Sequence, residues 1–117
     1  MAPVAFSELT YYAALASRRL GDDVRAHALV DGLAAHAVTL RTTPATVDYF
    51  ATSLPTMLLF QDDLQAAQTT TATLLEAQVA VLRGDVGAAA AGLDDVLARE
   101  PSRLRALDLR RELSGPR

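Results

Sequence analysis

The sequence predicts an all-α domain of about six helices. Alanine and leucine, two of the strongest helix formers, supply 23 and 19 of the 117 residues, and β-branched residues are a minority. Apolar residues recur at helical spacing between glycines, aspartates and prolines that begin or end helices, and no segment shows the alternation of a strand. At this length the chain has room for one hydrophobic core.

The ends of the first two helices are marked by capping residues and a glycine. Ser7 is placed to cap a helix that runs to Leu20, where Gly21 ends it. Asp22 is placed to cap a second helix that ends near Leu40. The apolar residues of this second helix follow the spacing of one buried side: Val30, Leu33, Ala34, Ala37 and Val38.

Four further helices are predicted in the rest of the chain. Thr43 and Pro44 suit the cap and first position of a third helix, which Pro55 is expected to kink or split. Asp62 is expected to open a long fourth helix that ends at Gly84. The fifth and sixth helices are expected to begin at Asp85 and Pro101.

Two of the predicted helix hairpins have the same residues, Gly-Asp, at their turns. The turns read Leu-Gly-Asp-Asp-Val at residues 20–24 and Arg-Gly-Asp-Val at residues 83–86. Small residues lie seven positions before and five positions after each glycine: Ala14, Ala26, Ala77 and Ala89. This pattern resembles the tetratricopeptide repeat, a helix-turn-helix unit whose copies stack into a right-handed superhelix.

The resemblance to tetratricopeptide repeats implies one helical-repeat domain over residues 1–113. It also implies a protein-interaction or assembly module with no catalysis of its own. The predicted parts are a hairpin at 7–40, a divergent insertion at 43–63, a hairpin at 64–100, a capping helix at 101–113 and a frayed tail at 114–117.

The insertion carries a second resemblance. The runs Asp48-Tyr49-Phe50-Ala51, Ser53-Leu54-Pro55 and Asp62-Asp63-Leu64-Gln65 look like the repeat-bearing C-terminal part of large bacterial proteins of unknown function. The N-terminal regions of those proteins resemble sugar-active β-sandwich domains, and the likeness covers about residues 48–101. It implies an alternative role, an accessory domain that binds a carbohydrate or another small ligand.

Charge and hydropathy argue against two classes of partner. A net charge of −3 provides no basic field for a phosphate backbone, so no nucleic-acid partner is predicted. The longest uncharged stretch has 13 residues, too few to span a membrane, and the N-terminus lacks the basic start of a signal peptide. We therefore expect a cytoplasmic protein. The absence of lysine, isoleucine and asparagine indicates a GC-rich bacterial genome.

No catalytic, cofactor or metal site is predicted. The chain has no cysteine, which removes thiolate chemistry and cysteine-ligated metals. His27 and His36 are nine residues apart, so they lie on opposite sides of the second helix. The aspartate pairs at 22–23 and 62–63 are expected at helix starts, where carboxylates favour the helix dipole.

The inner side of the repeat hairpins is the candidate surface for a protein or peptide partner, because tyrosine and arginine often anchor interfaces. Packing of the first helix on the insertion is an equally weighted interpretation of the same residues. Two hairpins are fewer than the three repeats usually needed for stability, so a homodimer is also predicted as possible. The candidate residues are Glu8, Tyr11, Leu15, Arg18, Arg19, Thr71, Leu74 and Gln78.

Overall fold

The computed structural model describes residues 6–45 and 54–114, with the backbone alone for residues 54–62. All regular secondary structure in these ranges is helical, so the prediction of an all-α chain is confirmed. The described helices, numbered along the chain, are α1 (Thr10–Arg19), α2 (Asp23–Thr42), α3 (Leu54–Leu82), α4 (Val86–Arg99) and α5 (Leu104–Ser114).

A turn at Ser7 leads into helix α1. The Ser7 Oγ accepts a hydrogen bond from the Leu9 amide at 3.1 Å, and the Ser7 amide donates to the Thr10 Oγ1 at 3.0 Å. This reciprocal pair satisfies amides at the helix start, as a capping box does. The first turn closes through a bond from the Thr10 amide to the Ser7 carbonyl, so the regular helix begins at Thr10, three residues after Ser7.

The two predicted glycine turns have the same backbone geometry. Gly21 and Gly84 have φ angles of 81° and 84°, a conformation that costs other L-residues free energy because Cβ approaches the carbonyl. The amide after each glycine reaches back to a carbonyl five residues earlier, as at many helix C-termini. These bonds join Asp22 N to Ser17 O at 2.9 Å and Asp85 N to Ala80 O at 2.8 Å.

Both aspartates after these glycines cap the next helix. The Asp22 carboxylate accepts a hydrogen bond from the Arg25 amide at 3.1 Å, and the Asp85 carboxylate accepts one from the Ala88 amide at 3.1 Å. The predicted starts of the second helix and of the helix after Gly84 are therefore confirmed.

The middle of the chain differs from the prediction. Pro44 and Ala45 are not helical, and residues 46–53, where the predicted third helix would continue, lie outside the described residues. Helix α3 runs unbroken through Asp62, so the prediction of a helix start there is wrong. Pro55 is the second residue of α3, where proline's missing amide breaks no hydrogen bond. Because residues 46–53 lie outside the described residues, the predicted kink or split of the third helix at Pro55 stays a prediction.

Each helix packs against the next one along the chain, and α1 also packs against α3. Helix α3 is thus the centre of the described structure, and the core is formed by small and aliphatic residues from all five helices. The largest fully buried apolar side chains are Leu33, Leu74, Leu75, Leu93 and Val96.

The segment before α1 lies against α2. A Cβ atom on Gly32 would overlap the Phe6 ring, so glycine leaves the space in which that ring sits. The Phe6 and His36 ring centroids are 6.2 Å apart. Phe6 is partly buried, and its contacts fix the path of the chain into α1 on the side that faces α2.

Within the described ranges, no helix has both the length and the apolar character needed to cross a membrane.

Candidate interaction surfaces

One side of α3 is covered by residues that lie near the two ends of the described ranges. The Gln78 Nε2 donates a hydrogen bond to the Glu8 carbonyl at 3.0 Å. The Glu8 carboxylate in turn accepts one from the Arg103 Nη2 at 2.8 Å. The start of α1, the middle of α3 and the start of α5 therefore meet at one place. We call Glu8, Gln78, Arg103 and Arg105 the inner junction.

Three of the eight candidate partner-binding residues are buried at or beside this junction. Tyr11 is 3% exposed, and Leu74 and Gln78 are almost fully covered. Leu74 and Gln78 belong to α3 and Tyr11 to α1, and these positions were expected to be free, but the structure places the segments around Glu8 and Arg103 there. These side chains help to hold α1 on α3, and they are not available at the surface.

Only one of the two polar groups of the Gln78 side chain has a hydrogen-bond partner. Its Nε2 has the Glu8 carbonyl as acceptor, but its Oε1 has no hydrogen-bond partner among the described residues and is shielded from solvent. An unpaired buried acceptor costs about 1–3 kcal/mol relative to a solvated one. Gln78 therefore positions the start of α1 at some cost in stability.

Arg103 contacts three polar side chains at the inner junction. It forms ion pairs with Glu8 and Glu100, both at 2.8 Å, and its Nη2 lies 3.4 Å from the Thr71 Oγ1. Partial burial alone would lower the pKa of Arg103, but the hydrogen bonds to Glu8 and Glu100 outweigh it, and the net effect raises that pKa. Arg103 thus stays charged and joins the α4–α5 loop to α1 and α3.

Arg105 adds a second link between α5 and α1. Its Nε lies 3.1 Å from the other Glu8 carboxylate oxygen, and its guanidinium carbon lies 5.4 Å from the centre of the Tyr12 ring. Such a cation–π contact adds to the ion pair when the groups are partly shielded from water. Two arginines of the predicted capping helix, Arg103 and Arg105, therefore both bind Glu8.

The other candidate residues have varied surroundings. Leu15 is half-buried against the core, and Thr71 is half-buried beside Arg103. Arg18 donates a hydrogen bond to the Leu82 carbonyl at 2.7 Å, which ties the end of α1 to the end of α3. Only Arg19 is exposed with no polar contact in the described part of the chain. The eight residues therefore do not form one open surface.

A charged cleft opens beside the inner junction. It has a volume of about 560 Å³ and is lined by seven residues from the start of α1, the α4–α5 loop and the first turns of α5. Its two arginines are both engaged by Glu8. The lining residues are Glu8, Glu100, Ser102, Arg103, Leu104, Arg105 and Asp108.

The side of α1 that faces away from α3 is apolar and exposed. Leu9 is 57% exposed, Tyr12 is 40% exposed and Leu20 is 84% exposed, and Ala16 between them is exposed as well. The spacing of three, four and four residues places these four side chains along one side of the helix. We call Leu9, Tyr12, Ala16 and Leu20 the outer stripe.

The outer stripe is the surface that the sequence reasoning missed, although a signal for it is present. Helix α1 has apolar residues on two sides, since Tyr11 and Ala14 enter the core while Tyr12 and Ala16 do not. A second row of apolar residues on one helix, outside the side that enters the core, commonly marks a contact site. The pattern from Leu9 to Leu20 therefore indicates a second contact surface.

A second concavity of similar volume lies between α2 and α3. It measures about 540 Å³, and Val38 at its edge is 58% exposed. Two ion pairs join α2 to α3 beside it, Arg41 with Glu76 at 2.7 Å and Arg83 with Asp31 at 3.0 Å. Nothing in the described structure indicates what this groove would hold.

The two histidines have different surroundings and do not form a joint site. The His27 Nδ1 is 2.8 Å from the carbonyl of Asp23, one turn earlier in α2, whereas His36 lies next to the Phe6 ring. In the described ranges, no three side chains of the metal-binding types come together.

No protein-family model, no curated protein and no solved structure matches this chain. The resemblance to tetratricopeptide repeats therefore stays a prediction.

Proposed function

We propose that this chain is a tetratricopeptide-like helical-repeat module that binds a protein partner and has no catalysis of its own. The packing order supports the repeat interpretation. In a stack of hairpins, the first helix of one hairpin contacts its own partner and the first helix of the next hairpin. Here α1 packs on its own partner α2 and on α3, the first helix of the next hairpin, whereas α5 packs on α4.

The equivalence of the two hairpin turns is the second support. Gly21 and Gly84 share a left-handed conformation, and the hydrogen bonds around them repeat with an offset of 63 residues. The two turns therefore join α1 to α2 and α3 to α4 with the same local geometry. The repeat interpretation takes these as two hairpins and α5 as the first helix of a third unit.

The observation that carries the binding role is the outer stripe. Monomeric proteins normally scatter single apolar side chains over their surface, whereas aligned ones mark contact sites. The outer stripe combines two leucines, an alanine and a tyrosine on a helix that the inner junction links to α3 and α5. A helix face of this kind is suited to pack against another helix.

The alternative role, binding of a carbohydrate or other small ligand, has less support. The charged cleft is large enough for such a ligand, at about 560 Å³. However, its arginines already bind Glu8, and a sugar site commonly needs an aromatic ring to stack on. Tyr12 lies beside Arg105 and is not among the residues that line the cleft.

Affinity purification with matched variants tests the proposed function. The tagged chain, Ala16→Glu and Ala35→Glu are each incubated with extract of the source organism, and bound proteins are quantified by mass spectrometry. Ala16 is in the outer stripe, while Ala35 is an exposed alanine within α2. We expect a protein that the unmodified chain and Ala35→Glu retain equally and that Ala16→Glu retains at least five-fold less.

Purified partner and chain must then reproduce this ranking in a direct binding titration. Circular dichroism of both variants checks that they stay helical. If every bound protein is retained equally by the two variants, the outer stripe is not a binding surface and the proposed function is wrong.

A further inference from the structure

We infer that residues 6–8 are an internal ligand in a peptide site, and that a protein partner fills this site with an aromatic residue two positions before a glutamate. We call Phe6, Ser7 and Glu8 the strap. The site is formed by α2, α3 and the start of α5. It does not use the outer stripe, so this inference goes beyond the proposed function.

The strap contacts three helices within three residues. The Phe6 ring lies in the space that Gly32 leaves on α2. The Glu8 carbonyl accepts a hydrogen bond from Gln78 of α3, and the Glu8 carboxylate binds two arginines at the start of α5. Peptides are recognised by proteins in the same ways, through side-chain pockets, main-chain hydrogen bonds and carboxylates paired with arginine.

The Gln78 side chain indicates that the strap is an incomplete ligand for this site. A glutamine has both a donor and an acceptor, so it can pair with a C=O and an N–H of a peptide backbone. The strap uses only the donor, and the Gln78 Oε1 is buried with no hydrogen-bond partner among the described residues. A peptide that also donates an N–H to this oxygen removes the cost of the unpaired acceptor, which helps it to displace the strap.

The charged cleft gives an incoming carboxylate access to the same arginines. Arg103 and Arg105 line the cleft together with Glu8, and each arginine binds a different oxygen of the Glu8 carboxylate. Arg103 is also paired with Glu100, whereas the ion pair with Glu8 is the only one of Arg105 in the described part of the chain. Displacement of Glu8 leaves Arg105 without a counter-charge, so the site favours a ligand that brings a carboxylate.

The strap limits which ligands can enter the site. Because it belongs to the same chain, it competes with a free peptide at an effective concentration in about the millimolar range. A ligand must therefore reproduce the contacts of Phe6 and Glu8 or improve on them. Weakening the strap should open the site to a peptide that the unmodified chain binds poorly.

A labelled peptide with the sequence of residues 6–10, Phe-Ser-Glu-Leu-Thr with blocked ends, is the probe. Fluorescence anisotropy compares its binding to the unmodified chain and to the double variant Phe6→Ala/Glu8→Ala. We expect the double variant to bind the peptide at least ten-fold more tightly, since its own strap no longer competes. The expected dissociation constant is about 100 μM, in the range of a short peptide with few contacts.

Changes in the peptide and in the chain test the contacts one at a time. Replacement of the peptide's glutamate by glutamine, or of its phenylalanine by alanine, should weaken binding to the double variant at least five-fold. Arg105→Gln in the double variant should do the same, whereas Arg83→Gln, which changes an arginine paired with Asp31, should have no effect. Gln78→Met keeps the length of the side chain without its amide and should also weaken binding at least five-fold.

Two results overturn this inference. One is a double variant that binds the peptide no better than the unmodified chain does, and the other is equal binding of the peptides with glutamate and glutamine. Circular dichroism checks that the variants stay helical. If the double variant unfolds, the unmodified chain is titrated with the peptide to several millimolar while NMR follows the side-chain amide of Gln78, and the absence of a shift is then the contradicting result.

The matched variant of the outer stripe separates this inference from the proposed function. Ala16→Glu, made in the double variant, should leave peptide binding unchanged, because Ala16 is not part of the strap site. If the peptide binds as expected but Ala16→Glu has no effect on capture from the extract, this inference stands and the proposed role of the outer stripe is wrong. The opposite pair of results leaves the proposed function and removes the peptide site.

Discussion

Helices α1 and α5 both lie at an end of the described structure, but their exposed sides differ in chemistry. The exposed side of α5 has Asp108, Arg111 and Glu112, with one exposed leucine at its start. That of α1 has the outer stripe of Leu9, Tyr12, Ala16 and Leu20. Stacked-helix proteins need polar outer sides on their terminal units to stay in solution. Helix α5 meets that requirement and α1 does not.

This difference teaches that the two helices expose different chemistry to solvent. Helix α5 buries Ala106 and Leu109 in the core, and the exposed residues in its middle are charged. The inner junction contacts α1 at Glu8 and, through Arg105, at the Tyr12 ring, and it leaves Leu9, Ala16 and Leu20 exposed. The surface with the clearest physical reason to bind is therefore at one end of the stack of helices, while the inner side expected from the repeat resemblance is filled by Tyr11 and Gln78.

Replacement of one leucine in each of these helices gives the largest expected difference. Leu109→Ala removes a buried side chain of α5 and should lower the free energy of unfolding by about 2–4 kcal/mol. Leu9→Ala changes an exposed side chain of α1 and should alter that free energy by less than about 0.5 kcal/mol. Urea unfolding at low micromolar concentration measures both values. Equal losses of unfolding free energy would contradict the assignment of Leu109 to the core and of Leu9 to the surface.

The inner junction, which holds α1 and α5 together, is tested by a pair of arginines. Arg103→Ala removes ion pairs with Glu8 and Glu100 that are only partly exposed, and we expect a loss of about 1–2 kcal/mol. Arg83→Ala removes a well-exposed pair with Asp31, for which we expect less than about 0.5 kcal/mol. Unfolding curves at low and high salt measure both losses. An equal cost for the two variants would mean that the junction is no more than a surface contact.

The glycine turns test whether α1 ends in the same way as the central helix α3. Gly21→Ala and Gly84→Ala each force a Cβ into a left-handed conformation, and no neighbouring atom crowds either position. Each should therefore cost about 1 kcal/mol, from backbone strain alone. Denaturation of the two variants side by side measures the costs. A clear inequality would contradict the equivalence of the two hairpin turns.

Much of the fold was predictable because its signals are local. Gly21, Asp22, Gly84 and Asp85 mark helix ends through their own backbone and side-chain geometry, and all four do so in the structure. Asp62 was misread for the same reason. Asp and Gln at capping-box spacing fit a helix start, but α3 already passes through this residue. A local pattern does not reveal whether the preceding residues are helical too.

The surfaces were less predictable because they depend on contacts between distant residues. Glu8 and Arg103 are 95 positions apart, and nothing in either local sequence indicates the ion pair that closes the inner side. Packing of α1 on α2 and α3 buries Tyr11, and the outer stripe is on the opposite side of α1. The sequence shows the spacing of Leu9, Tyr12 and Ala16. That these side chains are exposed follows only from the positions of the other helices.

A smaller effect is expected from Tyr11, which lies where α1 approaches α5. Burial raises the pKa of Tyr11 above its usual value of 10.0, with further contributions from Glu112 of α5 and from Tyr12. The unfolded chain therefore loses the phenolic proton at lower pH than the folded chain. Stability linked to this proton is fully present below about pH 10 and declines as the pH rises through the folded-state pKa.

The replacement Tyr11→Phe removes that titration and keeps the ring in the core. Its unfolding free energy should decrease less steeply above about pH 10 than that of the unmodified chain, while the two stay within about 1 kcal/mol at neutral pH. Urea titrations from pH 8 to pH 11 give both slopes, and ultraviolet difference spectra follow the phenolate. Parallel slopes would mean that Tyr11 is solvated in the folded chain. Helix α1 would then be loosely held near α5, and the contrast between a fixed α1 and its uncovered outer stripe would have to be revised.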